Sequence, residues 1–188
     1  MATLLPHHHL LLLLSLAVAA FSAATPPSSL VISACAHARY PSLCVSTLVP
    51  TSPRSPTDLA RAATAAAHSA SCNASSAVRS IPLPAATPRG RAALRDCASL
   101  LSNAAGQLAR AEAELRRLRP DTLRGQLDNA QTWASAAMTC QDTCLDSFRG
   151  IAGPTRDAVA GRVVQLSQLT SNALYLIARL ASPQGRGR

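Results

Sequence analysis

The feature that most constrains the fold is a series of apolar residues between Leu94 and Leu118 whose intervals alternate strictly between three and four. The series consists of Leu94, Cys97, Leu101, Ala104, Leu108, Ala111, Leu115 and Leu118. This heptad pattern places every member on one face of an α-helix, which then packs lengthwise against other helices at a shallow angle. Pro120 ends the pattern. We therefore predict a long helix over residues 91–119 within a helical bundle.

Three further long helices are predicted between proline-marked breaks. A helix from 58 to about 78, with Thr57 expected as its N-cap, carries the stripe Leu59, Ala63, Ala66, Ala70 and Ala77. A helix over 121–148 carries Leu127, Ala130, Ala134 or Trp133, Ala137, Cys140, Cys144 and Phe148. The last, over 155–180, carries Val159, Val163, Leu166, Leu169, Ala173, Leu176 or Ile177, and Leu180. Each stripe is expected to enter a shared core.

The composition favours an all-helical chain. Alanine and leucine, which are strong helix formers, dominate, whereas aromatic residues make up 3% of the sequence. Two short helices, over 30–38 and 41–48, are separated by Tyr40-Pro41 and precede the long ones. We predict an all-α fold, an antiparallel up-and-down four-helix bundle preceded by a short helical hairpin over 28–50. The domain is expected to span 28–182, with a disordered basic tail over 183–188.

The first 24 residues are interpreted as a secretory signal peptide. An apolar block from Leu10 to Phe21 leads into small residues, as in Ala17-Val18-Ala19 or Ser22-Ala23-Ala24, that signal peptidase recognises. A short membrane anchor is the alternative, but the block has about a dozen residues whereas a spanning helix needs about 20. The sequence therefore predicts a secreted, extracellular protein.

Secretion places the six cysteines in an oxidising compartment, where disulfides form and would staple the bundle. They are Cys35, Cys44, Cys72, Cys97, Cys140 and Cys144. Counting alone leaves their connectivity open. Cys140 and Cys144 are spaced as metal ligands on one helix face, but no second close Cys or His pair accompanies them, so neither a metal nor another cofactor is expected.

The formal net charge is +9, and every basic residue is an arginine. Attraction to a polyanion is one interpretation of this charge. The other, which we favour, is a solvated surface, because the arginines are scattered along the chain. The densest cluster, Arg116-Arg117-Leu118-Arg119, lacks the aromatic residues on which nucleic-acid bases stack. Neither a nucleic acid nor a membrane is expected as a partner.

Four motifs, in this order, resemble those of the plant invertase and pectin methylesterase inhibitor family. Cys35 with Tyr40-Pro41 and Cys44 resembles its hairpin, and Ala93-Leu94-Arg95-Asp96-Cys97 resembles the start of one of its bundle helices. The segment from Gln131-Thr132-Trp133 to Asp146-Ser147-Phe148 resembles its Thr-Trp helix, and Ser171-Asn172-Ala173-Leu174 its last helix. Together these motifs span residues 35–174.

The resemblance implies a four-helix bundle with hairpin and disulfides here between Cys35 and Cys44 and between Cys97 and Cys144. Cys72 and Cys140 are not part of the family's four-cysteine pattern. By elimination we predict that they form a third bridge, between the 58–78 helix and the helix that contains Trp133. Two free thiols are the alternative.

The family's function implies that this chain is not an enzyme but a secreted inhibitor of pectin methylesterase in the apoplast. Such a protein, monomeric when free, would bind the enzyme one to one and non-covalently over its substrate cleft, and so regulate pectin de-methylesterification in the cell wall. Inhibition of acid invertase is the alternative, but that branch uses a Pro-Lys-Phe segment and this chain has no lysine. Contact residues are expected on the helices over 91–119 and 121–148, with Thr132, Gln141 and Asp142 as candidates.

The sequence departs from the family's pattern in one helix. Ser99, Asn103 and Gly106 occupy positions where the family often has acidic residues, and Leu101 replaces an aromatic residue. Asn73-Ala74-Ser75 is an N-glycosylation sequon, which is either used or unused.

A secreted hydrolase is the alternative from a different functional class. Its base would have to be His37 or His68, the two imidazoles outside the signal peptide. Neither lies in a pattern that suggests a nucleophile beside it, and Asp142 and Asp146 are expected to be solvated. No catalytic residue is therefore predicted.

Overall fold

The computed structural model describes residues 28–82 and 87–182, so the expected signal peptide (1–24) and tail (183–188) lie outside the described residues. The helices are α1 (Ser29–Cys35), α2 (Pro41–Leu48), α3 (Pro56–Arg79), α4 (Pro88–Arg116), α5 (Leu123–Asp146) and α6 (Pro154–Ala181), with one 3-10 turn at Val49–Thr51. None of the helices in these two ranges is long and apolar enough to cross a bilayer. The predicted all-α class is confirmed.

The four long helices form a closed ring of neighbours. α4 packs against α3 and α5, and α6 packs against α5 and α3, so that α3 and α5 lie diagonally across the bundle. Short connections between consecutive helices make them antiparallel. The expected up-and-down four-helix bundle is therefore confirmed.

Prolines at the first helical position set the starts of three long helices. In α3 and α4 the preceding residue caps the helix: the Ser55 hydroxyl accepts from the Asp58 N–H at 3.1 Å, and the Thr87 hydroxyl from the Gly90 N–H at 3.1 Å. Ser55, not the expected Thr57, is the cap of α3, because Pro56 is preorganised for the first helical position. Gly153, at a φ of 115°, performs the turn into α6.

The heptad series of α4 lies in the core as predicted. Its first seven members, from Leu94 to Leu115, are all buried. Leu118 follows the end of the helix at Arg116 but is still half-buried against the same cluster. The series thus continues the core by about one turn beyond the helix itself.

A layer of buried polar residues divides the core into two apolar clusters. Three helices pass from one cluster to the other through buried polar residues: Ser71 in α3, Gln141 in α5, and Thr170 and Asn172 in α6. The Gln141 amide donates to the Thr170 hydroxyl at 3.0 Å, and the Ser71 hydroxyl donates to the Leu101 carbonyl of α4 at 3.0 Å. These bonds tie α5 to α6 and α3 to α4, and they leave Gln141 Oε1 as a buried acceptor without a hydrogen-bond partner.

The polar layer corrects the predicted stripes. On α5 the buried face runs Leu127, Ala130, Ala134, Ala137, Gln141, Cys144 and Phe148. The alternation of three and four therefore passes through Gln141, and Cys140 lies beside it, half-buried. On α6 Thr170 likewise takes the place predicted for Leu169. On α3 three predicted members lie at the edge of the core, half-buried: Ala66, Ala70 and Ala77.

The N-terminal hairpin is docked on the bundle by one amide side chain. Asn172 of α6 accepts from the Tyr40 N–H at 3.2 Å through Oδ1 and donates to the Tyr40 carbonyl at 3.0 Å through Nδ2. Arg179 adds a bond from its guanidinium to the Ala34 carbonyl at 3.2 Å. Since α2 contacts both α3 and α6, the hairpin covers part of the face between these two helices.

Two disulfides are present. Cys35–Cys44 closes the hairpin and Cys97–Cys144 joins α4 to α5, as the family resemblance implied. The third bridge, predicted between Cys72 and Cys140, is wrong: both residues are free cysteines. Cys72 is exposed on α3 and Cys140 is half-buried on α5, and these two helices lie diagonally across the bundle. Burial raises the pKa of the Cys140 thiol, which keeps it protonated.

Candidate functional site

The outer surface of α4 and α5 carries polar and aromatic side chains that contact one another between the two helices. We call it the α4–α5 face and define it by Arg110 and Glu114 of α4 and by Gln126, Asn129 and Trp133 of α5. Arg110 and Asn129 are exposed, whereas Glu114, Gln126 and Trp133 are half-buried at the edge of the core. The face lies on the two helices on which sequence analysis expected contact residues, but it does not include the three candidates named there.

Two contacts join the helices across this face. The Arg110 guanidinium lies 5.0 Å from the centroid of the Trp133 ring, a cation–π contact. One turn nearer the α4–α5 connection, the Asn129 amide donates to the Glu114 carboxylate at 3.1 Å. The indole is half-buried. Its inner side packs against the core and its outer side contacts Arg110, so its orientation is fixed. Such aromatic and arginine side chains are over-represented among residues that dominate binding at protein interfaces.

The connection between α4 and α5 is held by Gln126. Its Oε1 accepts from the Arg119 N–H at 2.8 Å and from the Thr122 hydroxyl at 3.1 Å, and its Nε2 donates to the Arg117 carbonyl at 2.7 Å. Arg117 is the C-cap of α4 and Thr122 the N-cap of α5, whose own side chain does not cap its helix. One glutamine therefore bonds both ends of the turn, including a carbonyl that a helix end leaves without a partner.

Beside this turn lies an open cleft of about 600 Å³. It is lined by Ala113, Glu114, Arg117, Arg119, Thr122, Gly125, Gln126 and Asn129. The lining combines charged and amide side chains with a larger share of aliphatic surface. The cleft has the character of a protein-docking surface rather than of an apolar small-molecule pocket.

A second cleft, of about 570 Å³, lies at the opposite end of the bundle between α5 and α6. Its two arginines are paired with neighbouring aspartates: Arg149 with Asp146 at 2.9 Å and Arg156 with Asp157 at 3.0 Å. Both pairs are exposed, and within each pair the two opposite charges neutralise each other. The cleft therefore offers less to a charged partner than the α4–α5 face.

The candidate contact residues do not form one cluster. Thr132 is exposed, and its hydroxyl donates to the Asp128 carbonyl at 2.9 Å. Asp142 is also exposed but lies ten residues further along α5, about 15 Å away along the helix axis. Gln141 is wrong as a contact residue, because it is fully buried in the polar layer and bonded to Thr170. The interval pattern on α5 was the signal that could have placed it there.

Residues that sequence analysis compared with the acidic positions of the family lie on the exposed side of α4. Ser99, Asn103 and Gly106 all face solvent. This side of α4 is therefore an uncharged strip next to the α4–α5 face, whereas Leu101 is fully buried in the core. Any partner that meets the strip meets hydroxyl, amide and backbone groups.

The residues considered for catalysis are not arranged for it. His68 Nδ1 lies 3.2 Å from the Glu112 carboxylate, within hydrogen-bond distance, and Arg116 contacts the same carboxylate at 3.0 Å. His37 is exposed on the hairpin. Within 28–82 and 87–182 no group of three His, Cys, Asp or Glu side chains could hold a metal ion. What the described surface can do is bind.

Comparison with known proteins places the chain among plant inhibitor proteins. Residues 29–176 match the model of the family described as "Plant invertase/pectin methylesterase inhibitor". Pectinesterase inhibitor 3 of Arabidopsis thaliana is 36% identical over 167 residues, which are 84% of this chain and 82% of that protein. Pectinesterase inhibitor 9 of the same plant is 35% identical and covers 80% of each chain.

The fold has solved counterparts. A crystal structure of a mutant form of a pectin methylesterase inhibitor from Arabidopsis superposes with a TM-score of 0.66 over 80% of this chain and 97% of that one, at 22% sequence identity. A second crystal structure of a pectin methylesterase inhibitor from Arabidopsis thaliana gives a TM-score of 0.58 over 80% of this chain. At this level of identity the likeness concerns the fold.

Proposed function

Because the chain belongs to the plant invertase/pectin methylesterase inhibitor family, we propose that it is a protein inhibitor of pectin methylesterase. The observation that carries the proposal is the identity with Pectinesterase inhibitor 3 over most of both chains. Inhibition of this kind requires a complementary surface and no catalytic group. The α4–α5 face supplies an ordered surface with a central aromatic side chain.

We place the docking surface on the α4–α5 face for two reasons. The hairpin already covers part of the surface between α3 and α6, through the bonds of Asn172 to Tyr40. In addition, Asn73 of the sequon is exposed on α3, and we propose that it carries a glycan, which would keep a partner away from that helix. The surface of α4 and α5 carries neither obstacle.

The mechanism is occlusion by a rigid body. Binding a partner costs free energy for every side chain and loop that must be ordered. The contacts of Trp133 and Gln126 order the α4–α5 face in the free protein. The inhibitor then binds one to one and non-covalently over the substrate cleft, and pectin keeps its methyl esters. We further propose that the protein is secreted to the cell wall and is monomeric when free.

The test is a parallel titration of a plant pectin methylesterase and a plant acid invertase with the oxidised, secreted protein. We expect methanol release by the esterase to fall to zero at an equimolar ratio, and sucrose cleavage by the invertase to remain unchanged. Loss of sucrose cleavage alone would replace the proposed target with invertase. Protein that has been reduced and unfolded serves as the control and should inhibit neither enzyme.

A further inference from the structure

The structure assigns to Gln126 a role in the affinity of the inhibitory complex. This inference rests on the proposed function. We propose that Gln126 is a positioning residue that fixes the α4–α5 turn, residues 117–122, before the partner arrives, and so sets the affinity of the complex. It does so through two hydrogen bonds to the backbone of the turn and one to the Thr122 hydroxyl.

The turn is otherwise exposed. Five of its six residues, all except Leu118, face solvent. Apart from Gln126, the side-chain contact that structures it is the pair of Arg119 with Asp121 at 3.0 Å, whose members are 70% and 59% exposed. Exposed pairs of this kind contribute little. Leu118 packs against the core, and the backbone N–H groups of Arg117 and Thr122 donate to carbonyls within reach of the turn. The three hydrogen bonds of Gln126 add the connection between the two ends of the turn.

The geometry of these bonds explains why a glutamine is needed. Oε1 accepts from two donors on the α5 side of the turn, at Arg119 and Thr122, while Nε2 donates to the Arg117 carbonyl on the α4 side. An amide offers an acceptor and a donor at the same site, and a carboxylate offers acceptors alone. Removing the side chain leaves the ends of both helices without these partners, but it takes nothing out of the core.

The test compares Gln126→Ala, Gln126→Glu and a control variant, Gln165→Ala, in the full secreted protein. Gln165 is an exposed glutamine on α6, far from the turn in the bundle. We measure the dissociation constant with pectin methylesterase, the thermal unfolding midpoint, and amide hydrogen exchange of residues 117–122.

For Gln126→Ala we expect about a tenfold rise in the dissociation constant, because ordering one or two side chains on binding carries a penalty of this size. Exchange in the turn should accelerate while the unfolding midpoint stays unchanged. Gln126→Glu keeps the acceptor for Arg119 and Thr122 and should recover part of the affinity. Gln165→Ala should match the natural protein in all three measurements.

An unchanged dissociation constant for Gln126→Ala, with faster exchange in the turn, would overturn the inference and leave the proposed function intact. A fall in the unfolding midpoint large enough to account for the lost affinity would overturn it as well, since the residue would then be purely structural. Failure of the natural protein to bind the esterase would instead overturn the proposed function, and this inference with it.

Discussion

Replacing Cys97 and Cys144 together by alanine is expected to lower the free energy of unfolding by about 4 kcal/mol. The bridge joins α4 to α5 across a separation of 47 residues, and the loop-closure entropy that it removes from the unfolded chain scales with the logarithm of that length. Domains of this size are stable by roughly 5–15 kcal/mol in total. The variant should therefore unfold at a much lower urea concentration, as followed by circular dichroism.

The control is the hairpin bridge. Cys35 and Cys44 are separated by 9 residues, so replacing both by alanine should cost about 2.5 kcal/mol. Both pairs are compared in a Cys72→Ser, Cys140→Ala background, because a free thiol could otherwise exchange with the remaining bridge. Equal losses for the two pairs, or none for Cys97 and Cys144, would contradict the role given to the inter-helix bridge.

Replacing Trp133 by alanine is expected to weaken inhibition of pectin methylesterase about 30-fold or more. Truncating a residue that dominates an interface costs about 2 kcal/mol or more, and tryptophan is the residue type most enriched at such positions. Trp133 is half-buried on the α4–α5 face, and Arg110 lies over its ring. The measurement is the inhibition constant from methanol release at increasing inhibitor concentration.

Two further variants separate binding from stability. Arg110→Ala removes the cation–π contact but leaves the indole packed against the core, so it should weaken inhibition by a smaller factor and leave unfolding almost unchanged. Val164→Ala truncates an apolar side chain that is 47% exposed on α6 and should leave the inhibition constant unaltered. If Val164→Ala weakened inhibition as much as Trp133→Ala did, the docking surface would lie elsewhere.

The helices could be predicted because residues close to their ends determine where they begin and end. Prolines at 56, 88 and 154 begin three of the long helices, and the heptad series of α4 has apolar residues at every core position. Local signals of this kind act within one helical turn, so they need no knowledge of the tertiary fold. The predicted cap, Thr57, lies two residues beyond the observed cap, Ser55.

The observed core stripes of α3, α5 and α6 differ in part from the predicted ones, and in α5 and α6 the difference has one physical reason. Each carries a polar residue at a core position, and in α5 and α6 sequence analysis preferred the apolar neighbour, Cys140 over Gln141 and Leu169 over Thr170. Hydrophobicity is a property of single residues, so it favours the apolar neighbour at each position. The hydrogen bond from Gln141 to Thr170, which makes their burial possible, forms only when α5 and α6 pack together. The interval rule alone, applied without regard to polarity, places both residues correctly.

The site depends on contacts between helices that no local pattern encodes. The motif around Trp133 indicated α5, but Arg110, which contacts the Trp133 ring, lies on α4. Likewise, Gln126 bonds across a turn whose geometry the sequence does not specify. The pairing of Cys72 with Cys140 failed for the same reason, because elimination ignores which helices are neighbours. The Trp133 contact, the Gln126 bonds and the cysteine pairing all depend on which helices are neighbours in the bundle.

The most direct test of the central claim is amide hydrogen exchange of the protein, free and in complex with pectin methylesterase, read by mass spectrometry. We predict slower exchange on binding in the α4–α5 turn at 117–122 and in the adjoining ends of both helices, with the inhibitor recovered intact. Exchange in α3 and in the hairpin should not change. Slower exchange confined to α3, α6 or the hairpin, or a cleaved or modified inhibitor, would contradict the account.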